Sequence, residues 1–280
     1  MDTDQRLTTE IVRKGDPDRY LSVLYAPEDR RGALFAIYAF SIEIARIRDL
    51  VREPLAGEVR LQWWRDAIAA GTAEAVGGHP VATALLQAVA MHGLSREALQ
   101  NLLDARLFDL YDDPMPGRVE LEGYCGETAS ALIQLAALVL DPAAAPDHAA
   151  TAGHAGCAQA IARLIRLMPL HRARGQCYVP AEILSAAGLT RDTFIDGAST
   201  EGMRIVTLAM IALAREHLEA FGRDAVRLPA TLRPAFLPLA VTPAQLDRVD
   251  PDTDWRTWGA EISALRRHWL LLRRAMSGWG

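Results

Sequence analysis

Two stretches of this chain hold acids, arginines and tyrosines at spacings that could handle a charged ligand. The first covers residues 30–66, RRGALFAIYAFSIEIARIRDLVREPLAGEVRLQWWRD. Leu34, Tyr38, Ile42 and Ala45 fall on one helical stripe that reaches Asp49, with Glu43 and Arg46 beside it. A lone carboxylate there could hold one weakly bound cation at most. The second covers residues 156–180, GCAQAIARLIRLMPLHRARGQCYVP, with Arg166, His171, Arg174 and Tyr178. A guanidinium presents a planar fork that matches phosphate or carboxylate. Arg46, Arg48, Arg163, Arg166, Arg172 and Arg174 are therefore read in two ways: as partners of acids on neighbouring helices, or in part as the lining of an anion-binding cleft. His171 either extends that basic cluster or serves as a structural residue near a helix end. Asp104, Asp109, Asp112 and Asp113 crowd one helix end, where acids are normally just solvated. The chain has no glycine-rich phosphate loop, HExxH, CxxC or GxSxG.

The elements that must position these residues read as helices throughout. Asp16–Pro17–Asp18 opens a short helix over 19–25, and Pro27–Glu28–Asp29 a long one to about residue 51. Pro54 starts another, through Trp63 and Trp64 to residue 70, and residues 81–92, 95–111 and 118–140 follow. A helix over 148–172 contains Pro169, where it should kink or end. Residues 180–187 and 201–221 are helical, a proline-dense crossing spans 228–251, and a terminal helix runs over 255–276. Its stripe Ile262, Leu265, Trp269, Leu272 and Met276 should pack on the core or, as a basic Trp-bearing face, meet anionic lipid or a partner protein, with Arg266, Arg267, Arg273 and Arg274 flanking it and Trp255, Trp258 and Trp279 crowding the same end. No run alternates with period two between turn signals. The expectation is one all-α domain over 1–280.

Composition narrows the function. The chain has 280 residues, half of them hydrophobic, and a net charge of −5, which argues against a nucleic-acid partner. Lys14 is the only lysine. Cys125, Cys157 and Cys177 are odd in number and too widely spaced for a metal knuckle or redox pair, and they fit a reducing compartment. Residues 1–20 lack the apolar core of a secretory signal, and the longest apolar run, 129–140, is broken by Gln134 and too short to cross a bilayer. A cytoplasmic chain, peripheral to the inner face of a membrane, is the expectation.

The segments AFSIEIARIRD, RLQWWRDAI, GETASALIQLAALVL, GCAQAIARLIRLMPLHRARGQCYVPAEIL and RPAFLPLAVTPAQLDRV resemble the squalene/phytoene synthase family, in the branch that includes the mitochondrial assembly factor for respiratory complex I. The likeness is densest over 19–194. The family's first signature, roughly Asp-Glu-x-x-Asp, falls on Ala45, Arg46 and Asp49. Its second keeps Arg166, Arg174, Gly175, Tyr178 and Pro180 but has Leu167, Leu170 and His171 at the acids. Six acidic positions thus carry one positive and one negative charge. The resemblance implies an isoprenoid-synthase-like helical bundle with a central cavity, in which synthases ionise prenyl diphosphate with Mg²⁺ held by those acids. A like charge about 4 Å from a metal ion costs on the order of 4 kcal/mol per pair of unit charges at an effective dielectric near 20, so Arg46 opposes the ion an acid would hold.

Two readings follow. In the first, a non-catalytic protein without cofactor assists assembly of complex I, meeting its subunits or assembly intermediates. A vestigial diphosphate cleft of Tyr38, Arg46, Asp49, Arg166, His171, Arg174 and Tyr178 then takes an anionic or lipid-like ligand. In the second, the chain is a head-to-head prenyltransferase of the squalene or phytoene type, acting on farnesyl or geranylgeranyl diphosphate with Mg²⁺ at a degenerate metal site.

Overall fold

The computed structural model describes residues 3–197, 199–253 and 262–279. Among them the chain is a helical bundle without strands, and Met115 and Pro180 form an isolated β-bridge. The first helix, α1 (Thr3–Gly15), occupies what reads in sequence as a polar lead. Only Thr8 and Val12 are buried on it, too few apolar positions to announce a helix. In α2 (Pro17–Val23) the Asp16 carboxylate accepts the Arg19 N–H at 3.0 Å and caps the helix.

α3 (Glu28–Ala45) buries the continuous run from Leu34 to Ser41 on all sides. Each large apolar side chain so buried contributes about 1.5–3 kcal/mol. The helix does not continue smoothly to residue 51: Arg46 adopts φ −86° and ψ −7°, its N–H shared between the Ile42 and Glu43 carbonyls, and α4 (Ile47–Leu50) restarts behind it. Asp49 therefore lies beyond a break, off the stripe of Tyr38 and Ile42. α5 (Pro54–Ala70) has the expected bounds and ends on Gly71 at φ +71°.

α6 (Pro80–His92) and α7 (Arg96–Arg106) follow, then a 3₁₀ turn, Leu107–Leu110. α8 (Arg118–Cys125) and α9 (Ala131–Leu140) are joined through a π-turn, Gly126–Ser130. The combined run Arg118–Leu140 is long and apolar enough to cross a membrane, contrary to the expectation from its shorter apolar part, but 67% of its most apolar window is buried inside the fold, as in a core helix. α10 (Ala149–Ala173) continues through Pro169 for four more residues.

Beyond it lie α11 (Ala181–Ala186), α12 (Arg191–Asp196) and α13 (Thr200–Ala225). The proline-dense crossing contains α14 (Arg233–Phe236) and α15 (Thr242–Leu246), and α16 (Ala264–Ser277) is the last helix described. The expected start of that helix near 255, with Trp255 and Trp258, lies outside the described residues. One large apolar cluster gathers α3, α6, α7 and α9, and a second gathers the C-terminal half of α10 with α13. Leu218 packs against both.

Candidate functional site

The first stretch does not present its side chains as one set. Tyr38 is 2% exposed, a core residue with the Arg19 guanidinium 5.3 Å from its ring centroid, and burial pushes its phenol up to about 12. Arg46 is exposed and is in no ion pair among the described residues. Its charge partly offsets the burial that pushes the Glu43 carboxyl up to about 7. Asp49 forms an ion pair with Arg174 at 2.5 Å, with both side chains about two-fifths exposed. An exposed pair of this kind is worth roughly 0–1 kcal/mol, but it occupies the one acid left in the first signature.

Two of the six arginines pair with acids, as the first sequence reading expects, and a third with a backbone carbonyl. Arg174 pairs with Asp49, Arg48 with Asp112 at 3.4 Å, and the buried Arg172 donates to the Ile195 carbonyl at 3.0 Å with its guanidinium over Phe194. Those three are structural. Arg46, Arg163 and Arg166 have no ion pair among the described residues. Arg163 and Arg166 sit one turn apart on α10. Arg163 keeps contact with solvent, yet the loss of surrounding water lowers its pKa while Asp16 favours, and Arg106 and Arg19 oppose, its charge. Arg166 is half-buried, and its charge is one of those that oppose the burial pushing the Asp18 carboxyl up to about 6. Of the arginines expected in the cleft, Arg174 is thus paired with Asp49, while Arg46 and Arg166 are not in an ion pair among the described residues.

His171 packs its ring 4.6 Å from that of Tyr178, and burial drives its pKa down to about 4, so the imidazole is neutral at pH 7. It takes no part in a basic cluster. Behind it stands a network centred on Asp109, which in sequence reads, with Asp104, Asp112 and Asp113, as a solvated acid and is instead buried. The Asp109 carboxylate, 7% exposed, accepts the Tyr178 hydroxyl at 2.7 Å, the Tyr124 hydroxyl at 2.8 Å and the Arg106 guanidinium at 2.9 Å. The Gln176 amide donates to the Asp109 carbonyl at 2.9 Å. Burial first, then the carboxylate, pushes both tyrosines far above their ordinary range. Phe108, Tyr124 and Tyr178 stack around it with centroids 5.6 to 5.9 Å apart. A sequence signal exists: Asp109 is flanked by Phe108 and Leu110, an acid inside an apolar run. Its three donors leave Asp109 a structural anchor for Tyr178.

Magnesium does not fit the residues present. Mg²⁺ demands oxygen ligands, mostly carboxylate and water. Asp49 is engaged by Arg174, a half-buried Leu167 and a 42%-exposed Leu170 stand at two of the acid positions, and His171 is a neutral nitrogen base. Among the described residues no three His, Cys, Asp or Glu side chains converge to hold a metal ion.

Two cavities lie away from Arg46, Asp49, Arg166 and Arg174. The larger, about 400 Å³, is a polar recess between α7, the π-turn and α10, lined by Ser95, Asn101, Glu127 and Gln134 among others. The smaller, about 10 Å³, has room for little more than one water and adjoins His171, Tyr178 and Phe194.

The model of the squalene/phytoene synthase family matches residues 12–269. Complex I assembly factor 6 of Bos taurus is 31% identical over 233 residues, covering 83% of this chain and 69% of that protein. Presqualene diphosphate synthase of Rhodopseudomonas palustris is 27% identical over 212 residues, covering 75% of each chain. A dehydrosqualene synthase solved with a ligand superposes with a TM-score of 0.80 at 19% identity, covering 96% of this chain and 94% of that one. The bundle of helices, the surviving Arg166, Arg174, Gly175, Tyr178 and Pro180, and the match along nearly the whole length place this chain in the squalene/phytoene synthase family.

Proposed function

We propose that this chain assists the assembly of respiratory complex I, acting on subunits or assembly intermediates at the cytoplasmic face of the membrane, and that it is not a prenyltransferase. The observation that supports this reading is the state of the two signature helices: Asp49 is tied to Arg174, and the facing acids are replaced by Leu167, Leu170 and a neutral His171. Ionising an allylic diphosphate needs positive charge gathered on the leaving group. Here fixed guanidinium groups replace the metal, and they suit holding an anion better than expelling one. Arg163 and Arg166, which are not in an ion pair among the described residues, are the groups that bind it, whether it is a phosphate or the head of an isoprenoid or other lipid.

Deletion of the gene should lower the amount of assembled complex I on a native gel and the NADH:ubiquinone oxidoreductase activity of the membranes. Wild-type protein and Asp49→Ala should restore both equally. Turnover of farnesyl diphosphate with Mg²⁺ by the purified protein, abolished by Asp49→Ala, would establish the prenyltransferase instead. Pyrophosphate at ten times its Kd, without metal, should raise Tm by about 2–3 °C, and Arg166→Glu should remove that rise.

A further inference from the structure

α16 turns its apolar face away from the protein. Leu265, Trp269, Leu272 and Met276 recur at spacings of four, three and four, one stripe of the helix, and are 82%, 55%, 46% and 75% exposed. A surface helix of a globular protein buries such a stripe. Here the body is met by the other side. Leu271 is 1% exposed, Arg267 forms an ion pair with Asp18 at 2.7 Å, and Arg274 donates to the Gly278 carbonyl at 3.1 Å with its guanidinium 6.0 Å from the Trp279 ring. Arg233 reaches up to the Ala275 and Met276 carbonyls, each at 3.1 Å. These contacts hold the helix on the body by the side opposite its outward stripe.

The charges bordering the stripe choose its occupant. Residues 262–279 contain four arginines and no acid, in a chain whose net charge is −5. Arg266 and Arg273 are exposed along one edge of the stripe, Arg273 with its guanidinium 5.6 Å from the Trp269 ring centroid, and His268 is exposed along the other. A second copy seated stripe to stripe would bring these arginines together without counter-charge. An anionic lipid surface satisfies both features: acyl chains take Leu265, Trp269, Leu272 and Met276, while head-group phosphates take Arg266 and Arg273. At 14 residues the helix is about 21 Å long, too short to span a bilayer and suited to lie flat in its interface.

We propose that α16 is a membrane-surface helix that seats the protein on anionic phospholipid through its outward stripe. This adds the contact element to the peripheral location proposed above. Its failure would leave the assembly role standing, because that role is read from complex I levels. The test is co-flotation of the full-length protein with phosphatidylcholine vesicles, with and without phosphatidylglycerol. Binding should require the anionic lipid and fall when 1 M salt cuts the screening length to about 3 Å. The double variant Leu265→Ser/Leu272→Ser should bind roughly a hundredfold more weakly, and Arg266→Glu/Arg273→Glu should lose the preference for anionic lipid. All four side chains are exposed, so unchanged Tm in both variants controls for folding. Absence of flotation, or equal flotation by the Leu265→Ser/Leu272→Ser variant, would overturn the proposal. So would a dimer of the wild type on a sizing column that the same variant converts to monomer, which would assign the stripe to self-association.

Discussion

His171 and Glu43 occupy the two signature helices and are both forced towards neutrality by burial, with opposite consequences for pH. The His171 imidazole, buried beside the tilted Tyr178 ring and facing Asp109, Arg163 and Arg174, is held down at about 4, against an ordinary value near 6.5. The unfolded chain takes up that proton first as pH falls, so stability is complete above the ordinary value and declines as pH drops from about 6.5 to 4. The loss is on the order of 3 kcal/mol. Glu43 is raised to about 7, with Arg46 opposing the shift and His79 3.7 Å away. Its contribution runs the other way: stability is complete at low pH and declines as pH rises from about 4.5 to 7. Urea midpoints between pH 4 and 8 should therefore flatten on the acid side in His171→Gln and on the neutral side in Glu43→Gln. Identical profiles in both variants and the wild type would refute the assignment. The residue types at these positions were legible in the sequence, and so was the absence of the metal-binding acids. The partners were not, because Asp49 and Arg174 stand 125 positions apart and only the folded helices decide that they meet.

Elements were legible wherever a local signal fixes them. Asp16 before Pro17, Pro54, and Gly188 at φ +68° mark helix ends by capping chemistry or backbone freedom, and each ends or begins a helix where expected. Three features left no such signal: the amphipathic α1, the break at Arg46 and the π-turn between α8 and α9. The π-turn is a packing feature, and its cause lies on another helix. Gly156 of α10 comes so close that an added Cβ would stand 2.3 Å from the Ser130 backbone nitrogen and 2.4 Å from its Cα. The Ser130 hydroxyl donates to the Gly153 carbonyl at 2.8 Å across the same contact. Alanine at position 156 would gain up to about 1 kcal/mol of helix propensity and lose more to overpacking, about 1–3 kcal/mol or beyond, because backbone must move. Gly153 has open space around its Cβ position. Thermal unfolding should thus show Gly156→Ala lowered by several degrees and Gly153→Ala unchanged or slightly raised. Equal shifts would mean that the close approach does not hold α10 against the π-turn. The direction of α16 was legible only in part: its stripe is plain in the sequence, while the side it faces depends on Leu271, Arg267 and Arg274 finding the body.

At the scale of the whole chain, the two larger apolar clusters are stitched by α10, whose Ala152, Ala155 and Ala158 belong to one cluster and whose Cys157, Ile161 and Ile165 belong to the other. Leu218 of α13 touches both. A helix of 25 residues cannot lose the partners along one half and keep the other half ordered at little cost, since most helical stability comes from packing rather than propensity. The expected behaviour is one cooperative transition across residues 1–280. The cysteines supply the probe. Cys125, Cys157 and Cys177 are free, buried and all in the second cluster, and burial raises each thiol, Cys157 to about 11. In the native state they should resist a thiol reagent at pH 8, both by exclusion and because little thiolate is present. In a urea series, pulse labelling of the three thiols reports the second cluster, while far-UV circular dichroism reports all the helices. Coincident midpoints, with three thiols exposed in one step, are expected. A circular dichroism transition that precedes labelling would show the first cluster melting alone, and the chain would then consist of two folding units joined through α10.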